Sequence, residues 1–123
     1  MTVKKAIEML AGVKPHAFPD EAVAKWLAEV DQKLFIECIR THEGGITEMP
    51  QTYDPTDDAD TELLIQAPYD DIYLHYCAAM IDYWNGDFGR YNNTILVFNQ
   101  RYNEYVNYYN RTNLSKQPKN YGI

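Results

Sequence analysis

The sequence predicts an all-α fold, a small bundle of about four helices in which the last two form a C-terminal helical hairpin. Apolar side chains recur at helical spacing in two neighbouring stretches, residues 69–84 and 90–109. Between them, residues 85–89 read Asn-Gly-Asp-Phe-Gly, which favours a helix break and a reversal of the chain. The apolar residues of the first stretch are Tyr69, Ile72, Tyr73, Tyr76, Cys77, Met80, Ile81 and Trp84. The stripe of the second stretch consists of Tyr91, Ile95, Phe98, Tyr102, Tyr105 and Tyr109.

Two further helices are predicted upstream of the hairpin. Thr2 is a suitable cap for a first helix over residues 3–11, which Gly12 would end. Pro19 followed by two acidic residues favours the start of a second helix, which we expect to run to about Thr41, with Gly44 and Gly45 as its stop. Its predicted apolar stripe is Val23, Trp26, Leu27, Val30, Leu34, Cys38 and Ile39.

The remaining segments predict one long loop and a tail. Residues 43–67 are rich in Asp, Thr, Pro and Gly and show little periodicity, and loops of this length are usually functional or disordered. Their one apolar point, residues 63–65, suggests a short anchor or a strand-like pairing segment. Residues 113–123 are polar and predict an extended, flexible C-terminal tail. We therefore expect a single helical domain over residues 1–112, with the acidic loop and the tail acting as interaction arms that become ordered on assembly.

The aromatic composition is unusual, with eleven Tyr against four Phe. A Tyr ring can be buried while its hydroxyl stays in contact with water, so Tyr suits the margin of a core and an interface equally well. A Tyr-rich helical core and an oligomer interface both remain open. Stacking of nucleic-acid bases is less favoured, because the Tyr stripe is helical and apolar.

Charge is segregated along the chain. The net charge is −7, yet residues 41–89 contain eleven acidic side chains and no Lys or Arg, whereas residues 90–123 contain five basic side chains and one acidic one. Such a distribution favours head-to-tail contacts between copies, although a solvated acidic loop with a basic tail would give the same pattern. The candidate interface residues are Arg101, Arg111, Tyr108, Tyr109, Lys116, Lys119, Asp57, Asp58 and Asp60.

No pattern of catalytic, cofactor-binding or metal-binding residues emerges, so we expect neither an enzyme nor a cofactor. The acidic run 54–62 lacks the central glycine and the bidentate glutamate of a calcium loop. The three histidines lie in different segments, and the only serine, Ser115, has no base placed to activate it. Cys38 and Cys77 are isolated, which is typical of packed, reduced thiols. We also expect no export signal and no membrane span.

Several runs of the sequence together resemble a family of short proteins encoded among the head genes of tailed phages and prophages. Residues 81–93, which read IDYWNGDFGRYNN, form the longest of them, and Gln66-Ala67 departs from the family, where an acidic residue beside a proline is more usual. The other runs are residues 26–27, 41–45, 61–64, 68–73 and 108–112.

The family is similar to head-tail connector, or adaptor, proteins of the virion. The resemblance implies a structural protein, made in the host bacterial cytoplasm, that forms a homo-oligomeric ring beneath the portal protein. Such rings usually share the portal's twelvefold symmetry, extend the DNA channel without binding DNA specifically, and dock the next neck or tail-completion protein. The alternative that the acidic composition leaves open is a small phage-encoded inhibitor that mimics DNA, although its carboxylates should then cover a whole face. A small enzyme is the least favoured class.

Overall fold

The computed structural model describes residues 1–113 and confirms the all-α prediction. Its helices are α1 (Val3–Val13), α2 (Asp20–Glu37), α3 (Asp71–Trp84) and α4 (Phe88–Thr112), and a short 3-10 turn, Ile39–Thr41, follows α2. Within residues 1–113 the one pairing of extended backbone is an isolated antiparallel bridge between Thr2 and Glu62. The tail that is predicted to be flexible, residues 113–123, lies outside the described residues except for Asn113.

Helix α1 begins as predicted, because the Thr2 hydroxyl accepts a hydrogen bond from the Lys5 backbone N–H at 3.1 Å. It continues two residues past the predicted end, to Val13. One face, made of Val3, Ala6 and Leu10, is completely buried. A helix of this length is marginal by itself, so α1 depends on that buried face.

Helix α2 ends at Glu37, earlier than predicted, and the prediction that Gly44 and Gly45 stop it is wrong. Cys38 leaves the helical region, with φ −136°, and its carbonyl accepts a hydrogen bond from the Thr41 hydroxyl at 2.7 Å. The His42 ring also contacts that carbonyl through Nδ1, at 2.7 Å. Side chains that bond a nearby carbonyl compete with the helical hydrogen-bond pattern, and here they favour a 3-10 turn.

Helices α3 and α4 form the predicted hairpin, with α4 longer than expected at both ends. Gly86 adopts φ +79°, a conformation that favours glycine, and thereby reverses the chain. Asp87 then caps α4, because its carboxylate accepts from the Arg90 N–H at 3.1 Å. The cap places Phe88 at the start of the helix, two residues before the predicted start.

The second helix and the hairpin share one core, as the apolar stripes predict. Tyr73 and Leu27 are completely buried, and Trp26 and Phe98 are nearly so. They belong to a single apolar cluster to which α1, α2, α3 and α4 all contribute. The predicted members of that cluster are all present: Trp26, Leu27, Val30, Leu34, Tyr73, Tyr76, Met80, Ile95 and Phe98.

The second half of the acidic loop packs against this core. Leu63 and Ile65 are fully buried, which confirms the predicted anchor. The carbonyls of Thr61 and Ala59 accept from the N–H groups of Val3 at 3.0 Å and Lys4 at 2.9 Å, so the loop also follows the start of α1. The expectation that the whole loop is an arm waiting for a partner is therefore wrong for residues 59–65.

Candidate functional site

Among residues 1–113, the most exposed aromatic side chains lie at the turn of the hairpin. Trp84 is 63% exposed, Phe88 57% and Tyr83 42%. The Tyr83 ring lies edge-on against the rings of Trp84, Phe88 and Tyr91, with centroid distances of 5.1, 5.6 and 5.3 Å. We call Tyr83, Trp84 and Phe88 the aromatic tip. The expectation that Trp84 belongs to the buried stripe of α3 is wrong, since α3 ends there and the indole projects past the core.

A groove of about 290 Å³ adjoins the aromatic tip. Its walls are Phe18, Ala22, Lys25, Trp26 and Trp84. Trp26 is 5% exposed and packs edge-on against Phe18 at 5.4 Å, so one wall is fixed by the core. The exposed Lys25 lines the groove, whereas Arg90, in the first turn of α4, lies 3.5 Å from Asp87 of its own chain.

A buried ion pair braces the hairpin beneath the tip. Asp82 is 2% exposed and accepts from the Lys14 ammonium at 2.7 Å and from the Thr94 hydroxyl at 2.9 Å. Lys14 follows the last residue of α1, Asp82 lies near the end of α3, and Thr94 lies in α4. Three helices are therefore joined next to the exposed aromatic rings, which fixes the position of the tip. No local pattern predicts this pair, because its two residues are 68 positions apart.

The predicted interface acids Asp57, Asp58 and Asp60 are brought together in one turn. The Asp54 carboxylate accepts from the N–H groups of Thr56 and Asp57, both at 2.8 Å, and these backbone bonds lower the pKa of Asp54. Asp58 in turn accepts from the Asp54 N–H at 2.7 Å. Asp57 and Asp60 are exposed. We call residues 54–60 the acidic turn; it presents carboxylates on a hydrogen-bonded framework.

The predicted interface tyrosines lie at the other end of the hairpin. Tyr108 is 41% exposed and Tyr109 is half-buried, and both border an open cavity of about 560 Å³. The Tyr69 ring lies 5.3 Å from that of Tyr105 and 5.3 Å from that of Tyr108, so the rings form a connected group. The other residues around the cavity are Gln66, Ala67, Pro68, Thr112 and Asn113.

Arg101 contributes to this end of the molecule through contacts within its own chain. Its guanidinium donates to both carboxylate oxygens of Asp71, at 2.8 and 3.2 Å, and to Glu104 at 2.8 Å. It also lies over the Tyr69 ring, 5.2 Å from the centroid. These contacts attach α4 to the start of α3. Arg111 is exposed, and Lys116 and Lys119 lie outside the described residues.

The sequence interpretation missed a buried carboxylate, Asp31, at the centre of the bundle. It is fully buried and accepts from the hydroxyls of Tyr53 and Tyr73 and, at 3.3 Å, from the Leu64 N–H. The Tyr73 hydroxyl in turn accepts from the Ile65 N–H at 2.7 Å. Burial raises the pKa of Asp31, although these hydrogen bonds act in the opposite direction. The arrangement attaches the acidic loop to α2 and α3, and its carboxylate is closed off from any ligand.

Both cysteines lie in the core. Cys38 and Cys77 are buried free thiols, as predicted, and burial raises the pKa of Cys38 to about 11. Among residues 1–113, no three His, Cys, Asp or Glu side chains come together in a way that could hold a metal ion. In the same part of the chain, none of the helices combines the length and the apolar character needed to cross a membrane.

Comparisons of the chain with protein-family models, curated proteins and solved structures gave no significant match.

Proposed function

We propose that this protein is a structural component of a tailed-phage virion, a head-tail connector whose copies form a ring beneath the portal protein. The observation that carries the proposal is the aromatic tip. An exposed cluster of Trp, Tyr and Phe on a braced framework is typical of a protein-protein contact, where such residues contribute most of the binding energy. The family resemblance over residues 81–93, which include the whole tip, supports the same function.

The distribution of carboxylates supports a connector over a DNA mimic. The proposed alternative requires acidic groups spread across one face, yet Asp31 and Asp82 are buried and Asp71 is paired with Arg101. The exposed acids of the loop are instead concentrated in the acidic turn. In a ring through which DNA passes, such carboxylates would help to keep the duplex from adhering to the channel.

The function is tested by mixing the purified protein with the portal oligomer of the phage or prophage that encodes it. We expect the two to sediment together at about 0.15 M salt, with one copy of this protein for each portal subunit. A matched mixture with duplex DNA should show no binding tighter than the micromolar range of non-specific ligands. Failure to associate with portal at about 100 μM of each protein would contradict the connector function, and submicromolar binding of DNA would favour a nucleic-acid-binding module.

A further inference from the structure

A cavity at the end of the hairpin away from the turn results from the different lengths of its two helices. Helix α3 has 14 residues and α4 has 25, so they are about 21 and 37 Å long. Both adjoin the turn, and α4 therefore runs about 16 Å past the first residue of α3. The residues that precede α3 face this part of α4 across an open cavity of about 560 Å³. We call it the tyrosine cavity, because it is bordered by Tyr69, Tyr105, Tyr108 and Tyr109.

Contacts within the bundle hold the walls of the tyrosine cavity in place. Tyr105 is 8% exposed, and its ring lies 5.3 Å from that of Tyr69. The Arg101 guanidinium lies over the Tyr69 ring, 5.2 Å from the centroid. The Tyr109 ring lies edge-on against that of the buried His42, at 5.0 Å. The walls are thus ordered before a ligand enters, which lowers the entropy cost of binding.

The chemistry of the walls favours a ligand with apolar side chains. None of the nine described residues around the cavity has a charged side chain. Its volume lies within the range of ligand pockets in proteins, about 300 to 1,000 Å³. Grooves lined by aromatic rings bind peptide segments that contain proline, and tyrosine hydroxyls add hydrogen bonds. A short peptide segment with apolar side chains therefore fits this cavity.

Such a segment follows α4 directly. Residues 114–123, LSKQPKNYGI, lie beyond the described part of the chain and contain four apolar residues, which are Leu114, Pro118, Tyr121 and Ile123. Asn113, the last described residue, itself borders the tyrosine cavity. Ten residues span at most about 33 to 36 Å, so a segment that starts at this rim can reach across the cavity. The open side of the cavity leaves the two lysines of the segment access to water.

Covalent attachment favours the segment of the same copy over one from a second copy. A segment joined to its site by a short linker has an effective concentration of about 1 mM. With a dissociation constant of about 0.1 mM, attachment would fill about nine tenths of the sites, whereas a second copy at about 10 μM would fill about one tenth. We therefore propose that residues 114–123 of each copy bind the tyrosine cavity of the same copy. A partner that docked on Tyr108 would first have to displace this segment.

Proteolysis of the full chain tests this contact. Trypsin cleaves after Lys116 and Lys119, and mass spectrometry measures the two rates separately. The reference is a synthetic peptide of residues 113–123, in which both sites are accessible. We expect cleavage in the protein to be about tenfold slower than in the peptide, since only the unbound fraction is cleaved. The protection should be the same at about 1 and about 100 μM protein, because the contact lies within one copy.

Two matched variants show whether the protection depends on the cavity. Tyr108→Ala removes part of its wall and should reduce the protection at least about threefold, as expected when a binding tyrosine is lost. Tyr83→Ala, beside the turn at the other end of the hairpin, is the control, because the two side chains are almost equally exposed, at 41% and 42%. It should leave the protection unchanged. Far-ultraviolet circular dichroism checks that both variants are folded.

Nuclear magnetic resonance identifies the copy that supplies the segment. Uniformly labelled protein should give Overhauser contacts between the ring of Tyr105 or Tyr108 and the methyl groups of Leu114 or Ile123. An equimolar mixture of labelled and unlabelled copies, recorded with a filter that passes only contacts between copies, should give none.

Four results would overturn the proposal. They are cleavage as fast as in the peptide, equal protection in the Tyr108 and Tyr83 variants, absence of the Overhauser contacts, and contacts that appear in the filtered spectrum. The last of these would assign the segment to a second copy. The inference concerns a single copy and does not depend on the connector function, so none of these outcomes bears on portal binding.

Discussion

Asp31 and Asp82 are both buried carboxylates, 0% and 2% exposed, yet the protein compensates their charges differently. Asp82 is paired with a cation, the Lys14 ammonium, and receives one hydroxyl bond from Thr94. Asp31 receives three hydrogen bonds, from two Tyr hydroxyls and a backbone N–H, all of them from neutral groups.

The difference shows that the position of a buried carboxylate within the bundle determines which groups compensate its charge. Asp82 lies near the surface, where the Lys14 side chain, 23% exposed, can keep its stem on the protein and its charge partly hydrated. Asp31 lies at the centre, where a second buried charge would add a large desolvation cost. Neutral donors avoid that cost but do not cancel the carboxylate charge, which is why burial still raises the pKa of Asp31.

The largest effect is expected from Asp31→Leu. This change leaves the Tyr73 hydroxyl and the Leu64 N–H without their acceptor inside the protein, and we expect it to lower the free energy of unfolding by about 3 to 5 kcal/mol. Urea denaturation measures the loss. Asp31→Asn, which keeps an acceptor oxygen, is the control and should cost clearly less. Equal stability of the Leu variant and the wild type would show that the three bonds contribute nothing net.

Lys14→Met should lower the free energy of unfolding by a smaller amount, about 2 to 3 kcal/mol. It leaves the buried Asp82 charge without a cation, but the space around the partly exposed Lys14 head group gives water a route to the carboxylate. Lys5→Met, at an exposed position of the preceding helix α1, is the matched control and should change the free energy of unfolding by less than about 0.5 kcal/mol. If Lys14→Met and Lys5→Met lowered the free energy of unfolding equally, the ion pair of Lys14 with Asp82 would contribute nothing beyond an exposed lysine.

The smallest effect is a dependence on pH. Because the folded state raises the pKa of Asp31, it binds the proton more tightly than the unfolded chain does. The free energy of unfolding should therefore fall as the pH rises from about 4 to the folded-state pKa, by at most about 1.4 kcal/mol per unit, and level off above it. Subtracting the curve of Asp31→Asn isolates this contribution from Asp54, whose lowered pKa acts in the opposite sense. Parallel curves for the two proteins would exclude it.

The same two residues mark how far the sequence could be interpreted. Helix periodicity depends on neighbours three and four positions apart, so it located all four helices and the stripes that form the core. Asp31 lies four positions after Leu27 and three before Leu34, on the buried face, and this spacing was the available signal for its burial. Its donors Tyr53 and Tyr73 are 22 and 42 residues away, and no local pattern links them.

The candidate site was predicted less well than the fold, for a related reason. The acids Asp57, Asp58 and Asp60 were identified by composition alone, and the hydrogen-bonded turn that presents them was not predicted. Trp84 was assigned to the core because its position fits the stripe of α3. Periodicity places Trp84 on the apolar face of α3, but it does not indicate whether another element covers the end of that face. The chain turns at Gly86, directly after α3, and the Trp84 indole projects beyond the bundle there.

The attachments of α1 also determine when that helix can be fixed in place during synthesis. In its first turn, the backbone N–H groups of Val3 and Lys4 donate to the carbonyls of Thr61 and Ala59. Lys14, which follows the helix, pairs with Asp82. Helix α1 leaves the ribosome before these partners do and has to wait for them, because they follow it by about 55 to 70 residues. Helices α3 and α4 are joined by a short turn and can pair as soon as both exist, so we expect the hairpin of α3 and α4 to form before α1 docks.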